Sequence, residues 1–85
     1  MMNDKIMLFI EIPFIEQEIN ILVPLNKKIG NIKEEIEKYL NEQAFNSLSQ
    51  FPNLSLYDKE SGKIIANNLY VRNSNLTNGQ TLILI

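Results

Sequence analysis

A single stretch of this 85-residue chain has the periodicity of an amphipathic helix, and it lies between segments that alternate like strands. Within residues 29–42 the apolar side chains recur at helical spacing; they are Ile29, Ile32, Ile36, Tyr39 and Leu40. A helix with one apolar stripe must bury that stripe against a second layer, and the flanking strands can supply the matching apolar face. The chain is therefore predicted to form a two-layer α+β domain.

Alternation of side-chain character predicts the strands that would receive this helix. Residues 6–12 are a mostly apolar run that ends at Pro13, and Ile19, Ile21 and Val23 share one face of the next segment. The connection between these two segments is short, which favours an antiparallel hairpin. The predicted strands are residues 6–12, 18–23, 54–57, 63–65 and 81–85. With the helix, they give the order ββαββ with a short extra strand.

The first strand is predicted to lie at the centre of a mixed sheet of four to five strands, because its inner face is wholly apolar. The last strand is then expected to pair with it in parallel, which is the topology of the β-grasp fold. Turns are predicted at residues 58–62 and at Asn78-Gly79. The whole chain, residues 1–85, is expected to be a single domain. A loop over residues 43–52 is expected to pack three apolar side chains against the core, namely Phe45, Leu48 and Phe51.

Three segments carry a resemblance to ubiquitin-like proteins. Residues 23–36, Val-Pro-Leu-Asn-Lys-Lys-Ile-Gly-Asn-Ile-Lys-Glu-Glu-Ile, resemble the strand–turn–helix entry of ubiquitin. Residues 71–82 resemble the closing segment of the family, with Gly79 where the family needs a left-handed turn residue. The entry at 23–30, the turn at 58–62 and the ending at 78–85 are similar to the YukD/EsaB group. These are small bacterial ubiquitin-like proteins associated with type VII (Esx) secretion in Gram-positive bacteria.

The composition excludes several classes of function. The chain has no cysteine and no histidine, so it lacks thiol chemistry, the commonest general base and the commonest metal ligand. Its formal net charge is −2, and its eight Lys and Arg residues are scattered, which argues against nucleic acid as a partner. No apolar stretch reaches the roughly 18 residues that a membrane span requires. We therefore expect a cytoplasmic protein that is not an enzyme and binds no cofactor or metal.

The carboxylate clusters and the chain end also argue against chemistry. Three acidic pairs are expected to be solvated surface groups; they are Glu16 with Glu18, Glu34 with Glu35, and Asp58 with Glu60. Ubiquitin and the sulfur carriers of this fold act through a flexible tail that ends in Gly-Gly. This sequence ends with residues 82–85, Leu-Ile-Leu-Ile, inside a predicted strand. Conjugation and sulfur transfer are therefore not expected.

One group of apolar side chains is predicted to lie on the sheet face that points away from the helix. Such a patch is typical of a binding surface, and ubiquitin binds partners through the same face. Two other interpretations stay open, namely scattered surface residues and a one-residue error that exchanges the two faces. The predicted protein-interaction residues are Met7, Phe9, Leu22, Tyr57, Ile83 and Ile85.

The resemblance implies a non-catalytic, protein-binding adaptor or regulator, an accessory factor of a type VII secretion system. Its partner would be another protein, such as a component of the secretion machine, or a second copy bound through the outer sheet face. Two alternatives remain at this point. The chain could be a ubiquitin-like regulatory domain of another pathway, or a relative of the modifiers and sulfur carriers that has lost the tail.

Overall fold

The described part of the chain, residues 4–42 and 54–85 of a computed structural model, contains four strands and one α-helix. The helix, α1, spans Ile29–Glu42, as its apolar periodicity predicts. In chain order the strands are β1 Lys5–Ile12, β2 Gln17–Pro24, β3 Leu56–Asp58 and β4 Gln80–Leu84. The predicted loop over residues 43–52, with Phe45, Leu48 and Phe51, lies outside the described residues.

The first and last strands lie side by side in the sheet. The strand order is β2-β1-β4-β3, so β1 has a neighbour on each side. β1 pairs with β2 in antiparallel fashion along its whole length, from Lys5 opposite Pro24 to Ile12 opposite Gln17. It pairs with β4 in parallel, and β4 pairs with β3 in antiparallel fashion. The predicted β-grasp architecture and its ββαββ order are confirmed.

The core lies between α1 and the inner face of the sheet. On β1, Leu8, Ile10 and Ile12 are at most 1% exposed, and they alternate with half-buried residues. Burying an aliphatic side chain contributes about 1.5–3 kcal/mol, so each of these three residues stabilises the fold substantially. The buried apolar residues are Leu8, Ile10, Ile12, Val23, Ile29, Ile32, Ile36, Leu40, Leu54, Leu56, Ile65, Val71, Leu82 and Leu84.

Tyr39 is the member of the predicted helix stripe that the structure leaves exposed. Its side chain is 49% exposed, whereas Ile36 and Leu40 are buried. Tyr39 lies at the margin of the stripe, on the side facing β2, where the sheet ends. Helical periodicity places Tyr39 on the apolar stripe, but it does not say how far the opposing sheet extends.

The start of α1 is tied to a distant segment by backbone hydrogen bonds. The Ile29 amide donates to the Leu69 carbonyl, and the Gly30 amide donates to the Asn67 carbonyl, each at 2.9 Å. The first amides of a helix lack partners within the helix, so these carbonyls act as its cap. Val71, in a short 3-10 helix just beyond, is buried. The Leu69 side chain is 37% exposed, so this residue contributes to the structure mainly through its carbonyl.

The extra strand predicted at residues 63–65 is present only as an isolated bridge between Tyr57 and Ile64. β3 has just three residues and a turn follows it directly, so the pairing cannot extend into a ladder. The turns themselves are confirmed. Gly62 and Gly79 have φ of +73° and +86°, a left-handed conformation that glycine adopts without steric cost.

The Asp58 carboxylate organises the turn after β3. It accepts hydrogen bonds from the Glu60 amide at 3.3 Å, the Ser61 amide at 3.2 Å and the Gln80 side-chain amide at 3.0 Å. The hydrogen bonds from Ser61, and then from Gln80, hold the pKa of Asp58 below its ordinary value of 3.8. Hydrogen bonds of this kind favour the charged form of a carboxyl group.

The lowered pKa of Asp58 gives a testable pH dependence. Because the unfolded chain takes up this proton first on acidification, Asp58 stabilises the fold above its unfolded pKa. That contribution disappears as the pH falls through the folded-state pKa. We expect Asp58→Asn to unfold more easily than the wild type at neutral pH, and the difference to shrink below about pH 4. Urea titrations across this range would measure it, and a difference that stays constant with pH would contradict the assignment.

Candidate interaction surface

The sheet face that points away from α1 displays all six residues predicted to bind a partner. Because β1 buries Leu8, Ile10 and Ile12 on the inner side, alternation directs Met7 and Phe9 to the opposite side. The same argument applies to the other strands through their register. We call this side the outer face; it displays Met7, Phe9, Leu22, Tyr57, Ile83 and Ile85.

The strand register arranges these side chains as two neighbouring groups. Met7 lies directly opposite Leu22 on β2, and Ile83 lies directly opposite Tyr57 on β3. Phe9 is the diagonal neighbour of Ile83 across β1 and β4. Long side chains in such positions are within contact distance. The sheet thus brings together residues that are distant in sequence, such as Phe9 and Ile83, which lie 83 − 9 = 74 positions apart.

Accessibility differs between the centre and the margins of the outer face. Leu22 and Ile85 are 57% and 58% exposed. Met7, Phe9, Tyr57 and Ile83, which lie further in, are half-buried, because neighbouring side chains on the same face shield them. No element of the described chain packs over the outer face as a second layer, since α1 lies on the other side.

An ion pair crosses the outer face between the two apolar groups. Lys59 Nζ lies 2.6 Å from Glu11 Oε2. Glu11 is on β1 and Lys59 follows β3, so their side chains span β4. The hydrogen bond with Glu11 raises the pKa of Lys59, and the opposite charge of Glu11 adds to this effect. A partner on this face would therefore meet apolar side chains on both sides of a charged bridge.

The sequence indicates the position of Glu11 on this face but not the ion pair. The alternation of β1 puts Glu11 beside Phe9, which the sequence alone indicates. Lys59 lies in a turn, where no periodicity fixes the direction of a side chain. Its partner becomes evident only once β3 and β1 are known to flank β4.

Acidic side chains in the described residues do not cluster into a metal-binding group. No group of three or more acidic residues within residues 4–42 and 54–85 could hold a metal ion. Of the acidic pairs in the sequence, Asp58 is half-buried and the other members are exposed, as expected. In the same ranges, no helix combines the length and the apolar character needed to cross a lipid bilayer.

Comparison with known proteins identifies the fold. No family model matches this sequence, and no curated protein matches it. Among solved structures, the ubiquitin-like domain of EccD5 from Mycobacterium xenopi is 14% identical, with a TM-score of 0.72, over 98% of this chain and 94% of that one. A ubiquitin-like domain from Arabidopsis thaliana is 15% identical, with a TM-score of 0.68, over 98% of this chain and 78% of that one.

A chain of the ESX-5 inner membrane complex is also similar. It is 11% identical, with a TM-score of 0.74, over 98% of this chain. The present chain spans 21% of that chain's length. Identities this low establish the fold alone, and that fold is ubiquitin-like.

Proposed function

We propose that this chain is a non-catalytic, protein-binding adaptor that acts through the outer face. The observation that carries the proposal is an apolar sheet face with no covering layer in the described chain, in a domain whose described core lies on the other side of the sheet. Exposed apolar patches of this kind are typical of protein interaction sites. The charged bridge between Glu11 and Lys59 would favour a partner that presents polar groups between apolar ones.

We further propose that the adaptor belongs to the YukD/EsaB group and serves a type VII (Esx) secretion system in the cytoplasm of a Gram-positive bacterium. Two observations support this assignment. The sequence resembles that group at residues 23–30, 58–62 and 78–85. The fold is similar to EccD5 and to a chain of the ESX-5 complex, although each is less than 15% identical.

A modifier or sulfur carrier is the alternative from another class. Such proteins act through a flexible, glycine-ended tail, and the part of this chain that the structure describes ends in a strand, β4, with residues 80–84. Ile85 exchanges two backbone hydrogen bonds with Ser55, at 2.9 and 3.0 Å, so its backbone is held against the sheet. Mass spectrometry of the protein from its native cell would separate the two functions, because a modifier would be found attached to other proteins.

The proposed function is tested by affinity capture from the native bacterium. We expect the tagged protein to retain a component of an Esx-type secretion apparatus. We expect the double variant Phe9→Asp, Ile83→Asp to retain at least about tenfold less of it, because two buried charges in a binding surface oppose association. Quantitative mass spectrometry of the captured proteins gives the ratio.

A matched control separates binding from a general effect of charge. Asn31→Asp, Asn41→Asp adds the same two negative charges at exposed positions of α1, away from the outer face. This control should capture as much as the wild type, and circular dichroism should show that both variants are folded. Equal capture by the Phe9, Ile83 variant would contradict the role of the outer face. Absence of every secretion component would contradict the secretion assignment.

A further inference from the structure

The edge of the sheet formed by β2 has no neighbour in the described chain. β2 spans eight residues, Gln17–Pro24, and only β1 lies beside it. A long edge strand presents a row of backbone groups that can pair with another chain. The edge is therefore a second surface, distinct from the outer face.

The backbone groups that point away from the sheet can be assigned from the register. The Leu25 amide donates to the Asp4 carbonyl at 2.9 Å, which makes Leu25 and Asp4 a hydrogen-bonded pair. In an antiparallel ladder such pairs alternate, so the odd-numbered residues of β2 bond to β1. The amides and carbonyls of Glu18, Asn20 and Leu22 then point outward. No backbone group elsewhere in residues 4–42 or 54–85 bonds to these three.

The opposite edge of the sheet, formed by β3, is covered. β3 has three residues, and residues 63–65 lie along the edge of β3 that faces away from β4. The Asp58 amide donates to the Lys63 carbonyl at 2.9 Å, and the Ile65 amide donates to the Leu56 carbonyl at 2.8 Å. Covering a short edge strand is a usual protection against unwanted pairing. The described structure gives β2 no such cover.

An apolar groove runs along the open edge. It lies between β2 and α1, has a volume of about 600 Å³ and is lined in part by Ile19, Ile21 and Tyr39. Ile19 and Ile21 are half-buried, and Tyr39 is 49% exposed. A strand added to β2 would direct every second side chain towards α1, into this groove. The edge and the groove thus suit one and the same ligand, an extended segment with alternate apolar residues.

Charge distinguishes the two ends of the edge. Glu16 and Glu18 are exposed at the start of β2. At the other end, Lys27 forms an ion pair with Glu35 on the groove wall, so its charge is already matched. Glu18 lies opposite Glu11, and Lys59 interacts with both carboxylates, so three carboxylates at this end (Glu11, Glu16 and Glu18) face one cation. The acidic end therefore keeps an excess of negative charge, which favours basic residues in a ligand.

We propose that the β2 edge binds an extended peptide segment of a partner protein, which adds to the sheet as an antiparallel strand. Its alternate apolar side chains occupy the groove beside Tyr39, and its basic residues lie next to Glu16 and Glu18. In an antiparallel arrangement those basic residues are at the C-terminal end of the segment. Strand addition of this type takes affinity from backbone hydrogen bonds and specificity from alternate side chains.

The test uses a synthetic peptide of about ten residues, with valine at alternate positions, threonine between them and two lysines at its C-terminal end. Amide hydrogen exchange is followed by NMR on the protein with and without this peptide. At saturation we expect exchange to slow by about tenfold or more at Glu18, Asn20 and Leu22. The amides of Ile19 and Ile21, already bonded to β1, should not change.

Two substitutions separate backbone pairing from groove contacts. Asn20→Pro removes an outward-facing donor without breaking a bond to β1, and proline is tolerated at such edge positions. We expect it to weaken binding of the fluorescein-labelled peptide about tenfold, while Asn20→Thr, which keeps the donor, stays within about twofold. Tyr39→Ala should weaken binding about threefold or more through lost apolar contact. A peptide with its lysines at the N-terminal end should bind more weakly than the original.

Several results would overturn the proposal. One is unchanged exchange at Glu18, Asn20 and Leu22 in the presence of millimolar peptide. Another is equal binding by Asn20→Pro and Asn20→Thr. Slowed exchange at the edge without peptide, growing with protein concentration, would assign the edge to a second copy of the chain instead. If Asn20→Pro fails to fold, the exchange pattern of the unsubstituted protein decides. None of these variants alters the apolar side chains of the outer face. Their results therefore test the β2 edge without testing the proposed function, which depends on the outer face.

Discussion

Leu82→Ala is expected to lower the free energy of unfolding by about 3 kcal/mol. Leu82 is 1% exposed, lies on β4 and points into the core opposite α1. The substitution removes buried apolar surface and leaves a cavity that the surrounding side chains fill only in part. Because small domains are stable by about 5–15 kcal/mol, this is a large fraction of the total. Chemical denaturation followed by circular dichroism would measure the loss.

Leu22→Ala is the matched control for this experiment. It is the same chemical change, also on a strand, but Leu22 lies on the outer face and is 57% exposed. We expect it to change the free energy of unfolding by less than about 1 kcal/mol. Similar losses at the two positions would mean that the inner and outer faces of the sheet are not as described.

Removal of residues 81–85 is expected to unfold the protein. These residues include most of β4, which lies between β1 and β3 in the sheet, and they contribute Leu82 and Leu84 to the core. The shortened chain would keep its hairpin and helix sequences, yet it would lose the strand that joins β3 to the rest of the sheet. A hairpin without a completed sheet is marginally stable at best in water. Circular dichroism and the dispersion of amide signals in NMR would report the loss of structure.

Deletion of Ile85 alone provides the comparison. Its side chain is 58% exposed, and its backbone exchanges two hydrogen bonds with Ser55. We expect this deletion to cost about 1–3 kcal/mol, at roughly 0.5–1.5 kcal/mol for each hydrogen bond, and the domain to remain folded. A folded chain that ends at Gln80 would contradict the central position of β4.

Much of the fold follows from the sequence because burial imposes a period. The run Leu8, Ile10, Ile12 predicts the inner face of β1, and the stripe Ile29, Ile32, Ile36, Leu40 predicts the helix that covers it. Turn glycines at 62 and 79 were predictable for a related reason, since few other residues adopt positive φ without strain. These features depend on neighbours in sequence or on a simple repeat.

What the sequence could not predict depends on distant backbone groups. The cap of α1 consists of the Leu69 and Asn67 carbonyls, and a carbonyl is present at every residue, so no sequence pattern marks it. The absence of a ladder at residues 63–65 was also not predictable, because the pairing is limited by the length of β3, which the sequence does not fix. Tyr39 fits the helical period but lies beyond the margin of the sheet.

The candidate surface was predictable to a similar degree. Alternation placed Met7, Phe9, Leu22, Tyr57, Ile83 and Ile85 on one face, and the register places them there too. The ion pair between Glu11 and Lys59 was not predictable, since it needs the strand order as well as the alternation. The groove beside β2 was missed for a similar reason, because the sequence alone does not say which edge is left open.

The parallel pairing of β1 with β4 has a consequence for how this protein is made. Leu8 pairs with Gln80, so β1 is synthesised long before the residues of β4 that lie beside it. Until β4 is synthesised, the apolar side chains of the hairpin and of α1 are exposed in the nascent chain, because the sheet that buries them is incomplete. Contacts between residues so far apart in sequence form late and slow the search for the native state. We therefore expect chaperones that shield apolar segments during translation to act on this chain before β4 emerges from the ribosome.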